Sequence, residues 1–483
     1  MIDYFKKRMQ DKSVLILGFG REGQSTLKLL KEAGTAKKIA IADLKEFTGD
    51  DEVFAKNEFA GMDLSGLTFC CGADYQKAID DYDIVMKSPG IVLQREFTQY
   101  RAEILSQMQL VFEYYRDRII GITGTKGKST TTTLLYHILE QAQVPAVLAG
   151  NIGIPVFDIL PQLTEKSLLV LELSCHQLEY MTLSPKWGVL LNIYEEHLDH
   201  YGTMEKYVAA KKKIYVNQIS GDALYVHPSV MPEENTHQGK CVMVEAVSDV
   251  ENAEVSGEKA EEKSKTEVFM PWQECFGRVF LKGTEIFYGD RHFVIPTGKI
   301  SLSGAHNYLD IAFVYGICCD FGISDELFME GLSSYVPLPH RLQYVGTIDG
   351  VAYYDDSIST IDETTIQALN TIQNTDTVLI GGMERDISYV NLEQYLATST
   401  VSHIILMEAT GKRIYREIIN NMPDFPQKER LHVVEHLEDA VALAKKVTAK
   451  GRSCVLSPAA ASYGIFQNFE KRGERFVKLL EKD

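Results

Sequence analysis

Short apolar runs alternate with amphipathic segments along the chain. Near the start, the apolar run Val14 to Leu17 precedes a segment, Gln24 to Ala33, whose apolar residues recur at helical spacing. The run Ile84 to Met86 repeats the strand pattern. Short continuous apolar runs are typical of strands buried on both faces, and strands that alternate with helices form parallel sheets. The pattern therefore predicts an α/β fold with a parallel sheet in this part of the chain.

The same alternation begins again twice. Ile119 to Thr123 is a strand-like run followed by a Gly/Thr-rich turn and a helical pattern, which puts a domain border near residue 115. After Pro337 and Pro339, strand-like runs return at Val351 to Asp355, Thr377 to Ile380, His403 to Met407, His432 to Val434 and Ser453 to Leu456. A chain of 483 residues is long enough for roughly three domains. We therefore expect three α/β domains, at residues 1–115, 116–336 and 337–483.

One stretch breaks the pattern. Residues 232–265 are rich in Glu, Lys and Ser and contain no Phe, Trp or Tyr. Such a composition cannot bury a core of its own and is typical of exposed loops. The sequence predicts an irregular surface insertion there.

Composition narrows the classes of function. The chain has 49 Lys+Arg against 67 Asp+Glu, a formal charge of -18, so a nucleic-acid backbone would be repelled. No apolar run reaches the roughly 18 residues that a membrane span needs, and the N-terminus lacks the features of a signal peptide. The 8 cysteines show no C-x-x-C spacing. We expect a cytoplasmic protein with no nucleic-acid partner, no membrane insertion and no disulfide framework.

A glycine cluster, Gly18-Phe19-Gly20-Arg21-Glu22-Gly23, follows the first predicted strand and opens a helix. Backbone amides in such a turn can approach a diphosphate at the helix N-terminus. Asp43 follows about twenty residues later, where a carboxylate can accept a hydrogen bond from a ribose hydroxyl or a base N–H. Ser88-Pro89-Gly90 can line the same crevice. By itself the cluster fits a nicotinamide dinucleotide, another nucleotide or a purely structural turn.

A stronger motif, Thr123-Gly124-Thr125-Lys126-Gly127-Lys128-Ser129-Thr130, follows the second sheet's first strand. Backbone amides of such a loop wrap the phosphates of ATP, Lys128 neutralises charge on the β and γ phosphates, and Ser129 offers a hydroxyl to Mg²⁺. The motif departs from G-x-x-x-x-G-K-[ST] because Ile122 stands where the first glycine belongs. It still predicts a specialised ATP-phosphate loop.

Polar residues follow this loop at the ends of later elements. Asn151 lies in a Gly-Asn-Ile-Gly turn, Glu172 directly follows the apolar run Leu168 to Leu171, and His197 lies in a polar segment. A carboxylate at the end of a parallel strand can reach a phosphate-bound Mg²⁺. Farther on, the helical pattern from Tyr207 to Tyr215 carries three consecutive lysines, and the local sequence alone predicts a solvated face for them.

In their order and spacing these motifs resemble those of the Mur ligases of peptidoglycan synthesis. The resemblance is carried by Gly121 to Ser129, Gly150 to Gly153, Glu172 to Ser174, Asn192 to Glu205, Ala210-Lys211, Gly304 to Asn307, Pro339 to Arg341, Asp355 to Ser357 and Leu456 to Gly473. It covers nearly the whole chain. It implies an N-terminal Rossmann-like UDP-binding domain, a central P-loop-type ATPase domain, and a C-terminal Rossmann-like domain that binds the amino acid and closes over ATP.

The resemblance also implies a reaction. Such ligases form an amide at the expense of ATP: a substrate carboxylate attacks the γ-phosphate, and an incoming amine displaces phosphate from the acyl phosphate. Lys128, Ser129 and Glu172 would hold ATP and a first Mg²⁺, while Asn151 orients the reacting groups. His197 would help to hold a second Mg²⁺, together with Lys211, which matches the position of a lysine carbamylated by CO₂.

Further contacts come from the same resemblance. Besides the loop from Gly124 to Thr130, ATP would be contacted by Asn307, Arg341 and Asp356. The first glycine cluster is assigned to UDP, with Gly20, Arg21, Glu22, Asp43, Ser88 and Gly90. Glutamate would be contacted by Thr360, Arg385, Ser462 and Phe469. The implied substrates are UDP-N-acetylmuramoyl-L-alanine and glutamate, and the implied state is a monomer.

The amino-acid site departs from the family pattern. Several relatives carry Asp-Ser-Lys where this chain has Asp356-Ser357-Ile358, while Arg385 retains a cation where a lysine is often found. An acidic amino acid is still favoured: the resemblance implies D-glutamate, and addition of L-glutamate to the same precursor is the alternative.

Three other hypotheses also remain: a folylpolyglutamate synthase, whose relatives lack the first domain; a nicotinamide-dependent oxidoreductase, which leaves the Lys128 loop unexplained; and a noncatalytic sensor of UDP-sugars.

Overall fold

The structure is a computed structural model. It describes residues 1–49, 51–55, 59, 62–152, 154–233, 237–247, 275–302, 304–337, 339–372, 374–384 and 388–481. The chain divides into two compact units, Met1–Tyr335 and Val336–Asp483. The first unit contains two β-sheets and the second contains one. Parallel sheets with intervening helices confirm the predicted α/β class.

The first sheet has five parallel strands in the order β3-β2-β1-β4-β5. Its strands are β1 (Ser13–Leu17), β2 (Lys38–Ala42), β3 (Thr68–Phe69), β4 (Ile84–Lys87) and β5 (Glu103–Leu105). Its helices are α1 (Ile2–Met9), α2 (Arg21–Ala33) and α3 (Gln107–Tyr115). The strand order reverses between β1 and β4, and ligands of open α/β sheets bind at such a switch point, outside the carboxyl ends of the strands.

The second sheet has nine strands in the order β14-β13-β12-β11-β10-β9-β6-β8-β7. Its strands are β6 (Ile119–Thr123), β7 (Ala146–Gly150), β8 (Leu168–Glu172), β9 (Trp187–Leu190), β10 (Ala223–Val226), β11 (Lys240–Ala246), β12 (Cys275–Lys282), β13 (Glu285–Tyr288) and β14 (Arg291–Val294). Its helices are α4 (Lys128–Gln141), α5 (Cys175–Leu178), α6 (Leu198–Tyr201), α7 (Met204–Lys212), α8 (Ala305–Asp320) and α9 (Asp325–Ser334). Strands β6 to β12 are parallel to their neighbours in the sheet. β13 is antiparallel to β12, and β14, at the edge of the sheet, is antiparallel to β13.

The expected irregular insertion at 232–265 is wrong for part of its length. β11 lies inside this range and pairs with β10 and β12. Val242, Met243 and Val244 are buried, so this short apolar run joins the core although polar sequence surrounds it. Residues 234–236 and 248–265 of the expected insertion lie outside the described residues.

The third sheet, in the second unit, has six strands in the order β15-β16-β20-β17-β18-β19. Its strands are β15 (Gln343–Ile348), β16 (Val351–Asp355), β17 (Thr375–Gly381), β18 (His403–Met407), β19 (Leu431–Val434) and β20 (Ser453–Leu456). Its helices are α10 (Asp362–Thr371), α11 (Val390–Thr398), α12 (Glu408–Asn421), α13 (Leu437–Val447) and α14 (Phe469–Leu480). All neighbouring strands are parallel except β15, which is antiparallel to β16.

Within the described ranges, no helix is both long and apolar enough to cross a membrane. Among the described side chains, Cys70, Cys71, Cys175, Cys318, Cys319 and Cys454 form no disulfide.

Candidate active site

The phosphate loop connects β6 to α4, and its shape depends on Gly127. This residue caps α4 with a φ of +81°, a conformation that side chains rarely adopt, and a Cβ there would lie 2.5 Å from Asp310 Oδ1. Lys128 Nζ donates a hydrogen bond to Thr125 O at 2.8 Å. Asp310 lies on α8, so this helix borders the phosphate loop. Asn307 lies on the same helix, about one turn before Asp310.

The loop is fastened by a segment that follows β9. Thr125 N donates to Asn192 O at 3.0 Å, and Lys126 N donates to Asn192 Oδ1 at 2.8 Å. Asn192 Nδ2 in turn donates to Lys126 O at 3.1 Å. The hydroxyl of Tyr207, on α7, lies 2.9 Å from Thr125 Oγ1. These contacts hold the phosphate loop against Asn192 and against α7.

Glu172 ends β8 and is only 2% exposed. Asn151 Nδ2 donates to Glu172 Oε1 at 2.7 Å, but the buried Oε2 has no hydrogen-bond partner in the described structure. A buried unsatisfied carboxylate oxygen is costly, and an ion that binds there removes the cost. The structure thus brings together two of the residues predicted from the sequence.

Lys211 lies on α7, which begins after Thr203, whose side chain accepts a hydrogen bond from Lys206 N. The local expectation of a solvated face is wrong for Lys211, because this residue is 1% exposed. Its Nζ donates to Gly124 O at 2.8 Å and lies 4.9 Å from the centroid of the Tyr207 ring. Burial, together with the charge of Lys128, lowers the pKa of Lys211 to about 7.

His197 and Glu196 lie on the segment that fastens the loop. Glu196 Oε1 is 3.6 Å from Lys126 Nζ, and Glu196 Oε2 is 3.8 Å from His197 Nε2. Burial acts to raise the pKa of Glu196, but the surrounding cations, led by Lys126, lower it below its usual value. Glu196 is therefore a partly buried anion among the lysines of the loop.

Three imidazole rings cluster next to this segment. The ring centroid of His176 lies 4.9 Å from that of His197 and 4.4 Å from that of His200. His200 Nε2 is 3.1 Å from Glu179 Oε2. Burial, followed by the charge of His197, lowers the pKa of His176 to about 4, so the His176 ring is neutral near pH 7.

The residues predicted to hold UDP gather at the switch point of the first sheet. Ser88 Oγ donates to Gly18 O at 2.8 Å, which joins the turns after β4 and β1. Asp43, just after β2, accepts hydrogen bonds from Phe19 N at 2.6 Å and from Lys45 N at 2.9 Å. Gly20 caps α2 and Arg21 is its first residue, exposed at the helix N-terminus. Gly90 is exposed in the turn after β4.

Glu22 points toward the second sheet of the same unit. Its Oε1 accepts a hydrogen bond from Gln177 Nε2 at 3.1 Å, and its carbonyl accepts one from Gln107 Nε2 at 2.9 Å. Burial raises the pKa of Glu22. A cavity of about 360 Å³ opens between the two sheets, next to this contact, and Lys87, Pro89, His176 and Gln177 are among its lining residues.

In the second unit, Asp356 follows β16 and is 3% exposed. Ser457 Oγ donates to Asp356 Oδ2 at 2.8 Å, and Leu342 N donates to Oδ1 at 3.1 Å. Burial raises the pKa of Asp356 to about 6. Arg341 Nε is buried and has no hydrogen-bond partner in the described structure.

A buried arginine ties together the segments that carry the predicted glutamate contacts. Arg472 is 0% exposed; its Nε donates to Ser357 Oγ at 3.0 Å, and its Nη2 donates to Ser357 O and to Ala460 O, both at 2.9 Å. Ser357 Oγ donates to Phe469 O at 2.8 Å. The loop that leads to Thr360, the loop that ends at Ser462 and the start of α14 thus converge at the ends of β16 and β20. Burial lowers the pKa of Arg472 to about 10.

Arg385 lies outside the described residues. Sequence reasoning assigned no role to Tyr207, His176 or Arg472. Tyr207 and Arg472 lie within the segments named above and His176 does not, and the contacts of all three join different segments of the chain. In the described ranges, no group of three or more His, Cys, Asp or Glu side chains is arranged to hold a metal ion. Mg²⁺ in nucleotide sites commonly uses one or two protein carboxylates with phosphates and waters, so this finding is compatible with the predicted site.

Comparison with known proteins agrees with this architecture. Residues 122–288 match the family described as the Mur ligase middle domain. UDP-N-acetylmuramoylalanine--D-glutamate ligase of Ligilactobacillus salivarius (strain UCC118) is 30% identical over 99% of this chain and 97% of its own. The protein of the same name from Clostridioides difficile (strain 630) is 30% identical over 97% of this chain and 98% of its own. Among solved structures, MurF ligase from Thermotoga maritima in complex with ADP matches with a TM-score of 0.52 at 16% identity, over 99% of this chain and 96% of that one.

The fold, the phosphate loop and these matches define an ATP-dependent ligase. The chain belongs to the Mur ligase family.

Proposed function

We propose that this ligase adds D-glutamate to UDP-N-acetylmuramoyl-L-alanine in peptidoglycan precursor synthesis. The observation that carries the proposal is the convergence of two lysines on the phosphate loop. Lys128 and the buried Lys211 donate to successive carbonyls of that loop, those of Thr125 and Gly124. The similarity to D-glutamate ligases along the whole chain supports the choice of substrates.

In the proposed reaction, the alanyl carboxylate attacks the γ-phosphate of ATP and ADP leaves. The amine of glutamate then attacks the acyl phosphate, loses a proton and displaces phosphate, so that an amide forms. Phosphoryl transfer depends on alignment and on neutralised charge more than on covalent help from the protein. Lys128 neutralises the phosphates, the loop from Gly124 to Thr130 wraps them through its amides, and Asn151 orients the reacting groups.

Glu172 fits a Mg²⁺ ion, because its Oε2 is buried without a partner. We propose that Ser129 and Glu172 hold this ion. Bound there, Mg²⁺ would neutralise charge that develops on the phosphates.

Lys211 supports a second ion only after chemical modification. An ammonium group cannot ligate a cation, whereas a neutral amine that attacks CO₂ and releases a proton becomes a carbamate with two ligating oxygens. The pKa of about 7 makes the neutral amine accessible near pH 7. We propose that carbamylated Lys211 and His197 hold the second Mg²⁺.

The first sheet is proposed to hold UDP. The exposed N-terminus of α2 offers amides and Arg21 to the diphosphate, which suits an acidic ligand on a chain of net charge -18. The proposed UDP site is completed by Gly20, Asp43, Ser88 and Gly90. Glu22, on α2, is part of the same proposed site, and its carboxylate is held by Gln177 of α5. The cavity of about 360 Å³ between the two sheets offers room for the sugar beyond the diphosphate.

The second unit is proposed to supply glutamate contacts from Thr360, Ser462 and Phe469, with Arg385 as the cation for the side-chain carboxylate. The hydrogen bonds of Arg472 support this assignment, because they link the segments after β16 and β20 to the start of α14, and these segments carry Thr360, Ser462 and Phe469. Arg341 and Asp356 stay proposed contacts of ATP, as does Asn307 in the first unit. A monomer and the absence of a nucleic-acid partner remain predictions.

The test is phosphate release from ATP and Mg²⁺ with UDP-N-acetylmuramoyl-L-alanine, run in parallel with D-glutamate and L-glutamate. Turnover with D-glutamate alone is expected. Turnover with L-glutamate alone would keep the mechanism and change the stereochemistry, with Ile358 and Arg385 as the first residues to exchange. Release with neither enantiomer would overturn the proposal, and NADH fluorescence titration would then examine the oxidoreductase alternative.

A further inference from the structure

The cluster of His176, His197 and His200 is not explained by the reaction as described. Only His197 has a role in the proposed function. His200 is fixed at one end by Glu179, at 3.1 Å, and its ring meets that of His176 nearly at right angles, at 86°. The ring of His176 then meets that of His197 at 76°. The contacts therefore form a continuous path from a carboxylate on α5's C-terminal side to His197.

His176 is held by contacts on more than one side. It lies on α5, whose first turn is closed by a capping box between Ser174 and Gln177. Its ring also stacks on that of Tyr201, with centroids 5.8 Å apart and planes at 24°. Two aromatic neighbours and a capped helix turn leave this imidazole little freedom to rotate.

His197 belongs to no helix or strand, and besides His176 its ring contacts that of Tyr207, with centroids 6.1 Å apart. It lies on the segment between β9 and α6, its backbone φ is +58°, and its side chain is 41% exposed. A loop residue that must present a nitrogen to an ion needs its ring orientation fixed by neighbours. Contact with a ring face or edge fixes the orientation without using a ring nitrogen.

We propose that His176 is a positioning residue that sets the orientation of the His197 imidazole through ring packing. The inference rests on the proposed function, in which His197 holds the second metal ion. His200 and Glu179 support His176 from the far side, so their effect on His197 is indirect. His176 itself needs neither charge nor a metal bond for this role, only an aromatic ring of suitable size.

The test compares His176→Ala with His176→Phe, and uses His292→Ala as the matched control. His292 is a half-exposed histidine on β14, hydrogen-bonded to Glu285 and absent from the proposed machinery. Binding of Mn²⁺ is measured by electron paramagnetic resonance on the whole protein, with bicarbonate and a non-hydrolysable ATP analogue. Phosphate release is titrated with Mg²⁺ in parallel, and thermal unfolding checks that each variant is folded.

His176→Ala is expected to lower the affinity of the second Mn²⁺ site, the one that His197 would hold, roughly tenfold or more, in the range known for residues that orient metal ligands. The Mg²⁺ needed for half-maximal activity rises with it, while the KM for ATP stays within about twofold. His176→Phe keeps the ring and restores wild-type binding, and His292→Ala leaves it unchanged.

Unchanged Mn²⁺ binding in folded His176→Ala would overturn the inference, and so would a loss in His176→Phe as large as in His176→Ala. If His176→Ala does not fold, His200→Ala removes the supporting ring and is expected to weaken the same site to a smaller extent; wild-type binding there would overturn the inference. A wild-type protein with no second Mn²⁺ site would instead refute the proposed two-ion function, and the inference with it.

Discussion

Lys211 Nζ donates a hydrogen bond to Gly124 O at 2.8 Å from a position that is 1% exposed. Its pKa of about 7 in the folded protein is below the 10.5 of an ordinary lysine. Between these values Lys211 binds more protons in the unfolded chain than in the folded one, so its contribution to stability rises with pH between about 7 and 10.5.

This difference predicts the behaviour of Lys211→Met. The wild type in CO₂-free buffer should gain up to about 1.4 kcal/mol per pH unit relative to the variant as the pH rises above 7. Urea denaturation of both proteins at pH 7 and pH 9 measures it. Parallel slopes for the two proteins would show that the amine is charged in the fold.

Glu172→Gln should separate activity from stability. The change removes the unpartnered carboxylate charge but keeps an oxygen that can accept from Asn151. Phosphate release should fall by roughly 100-fold or more, as for the loss of one electrostatic stabiliser of the transition state. Without Mg²⁺ the variant should be at least as stable as the wild type, because a buried unpaired charge is gone. Glu165→Gln, at an exposed site, serves as the control, and a marked loss of stability in Glu172→Gln would contradict this reasoning.

Gly127→Ala should disable the phosphate loop. The new Cβ meets Asp310 Oδ1 at 2.5 Å and the backbone φ is +81°, so the loop must move. Gly34→Ala separates the two causes, since Gly34 has a φ of +64° but no atom within 4 Å of the added Cβ. The backbone term costs about 1–3 kcal/mol in both variants. ATP binding measured by calorimetry should be lost only in Gly127→Ala, and equal binding in the two variants would be inconsistent with the clash.

Arg472→Met should impair the use of glutamate more than that of the nucleotide substrates. It leaves the carbonyls of Ser357 and Ala460 without their buried donor, at about 1–3 kcal/mol each. Displaced loops should raise the KM for glutamate roughly ten- to hundredfold, with little change in the KM for the UDP substrate. Arg475→Met, on the same helix but half-exposed and paired with Glu438, is the matched control. Equal effects on all substrates would indicate a general loss of structure instead.

The pair of His340 and Asp355 predicts a stability change with pH. His340 Nδ1 lies 2.7 Å from Asp355 Oδ2, and this hydrogen bond raises the pKa of His340 above its usual 6.5. The folded state therefore holds the His340 proton more tightly than the unfolded chain does. The resulting contribution of His340 to the free energy of unfolding is complete below pH 6.5 and is lost as the pH rises through the folded pKa. His340→Gln should remove this fall in stability. Denaturation at pH 6 and pH 8 measures it, and an unchanged difference would point to another group.

Much of the fold could be predicted from apolar runs, because buried parallel strands are locally distinctive. The run Ser453 to Leu456 coincides with β20, and Ile119 to Thr123 coincides with β6. β11 was missed because its apolar run is short and the surrounding polar residues dominate the composition. β11 is buried because it lies between β10 and β12 in the sheet, and the composition of a segment does not show which strands will be its neighbours.

The site divides in the same way. The phosphate loop could be predicted from its own motif and Glu172 from its place at the end of an apolar run, whereas the role proposed for Asn151 came from the family resemblance. The contacts of Arg472 with Ser357 span 115 positions, and those of His176 with His197 join α5 to the segment between β9 and α6. Such contacts depend on the order of strands in the sheets, so no local pattern indicates them.

Glu22 joins two distant parts of the first unit. Gln107 holds its carbonyl and Gln177 its carboxylate, while Gln177 also closes the turn that carries His176. The diphosphate end and the phosphate-transfer end of the proposed substrate site therefore keep a set separation. In the proposed function, a nucleotide-linked acid would reach the phosphate loop only when the combined length of its sugar and acyl arm matches that separation, so the first unit would select its substrate by size.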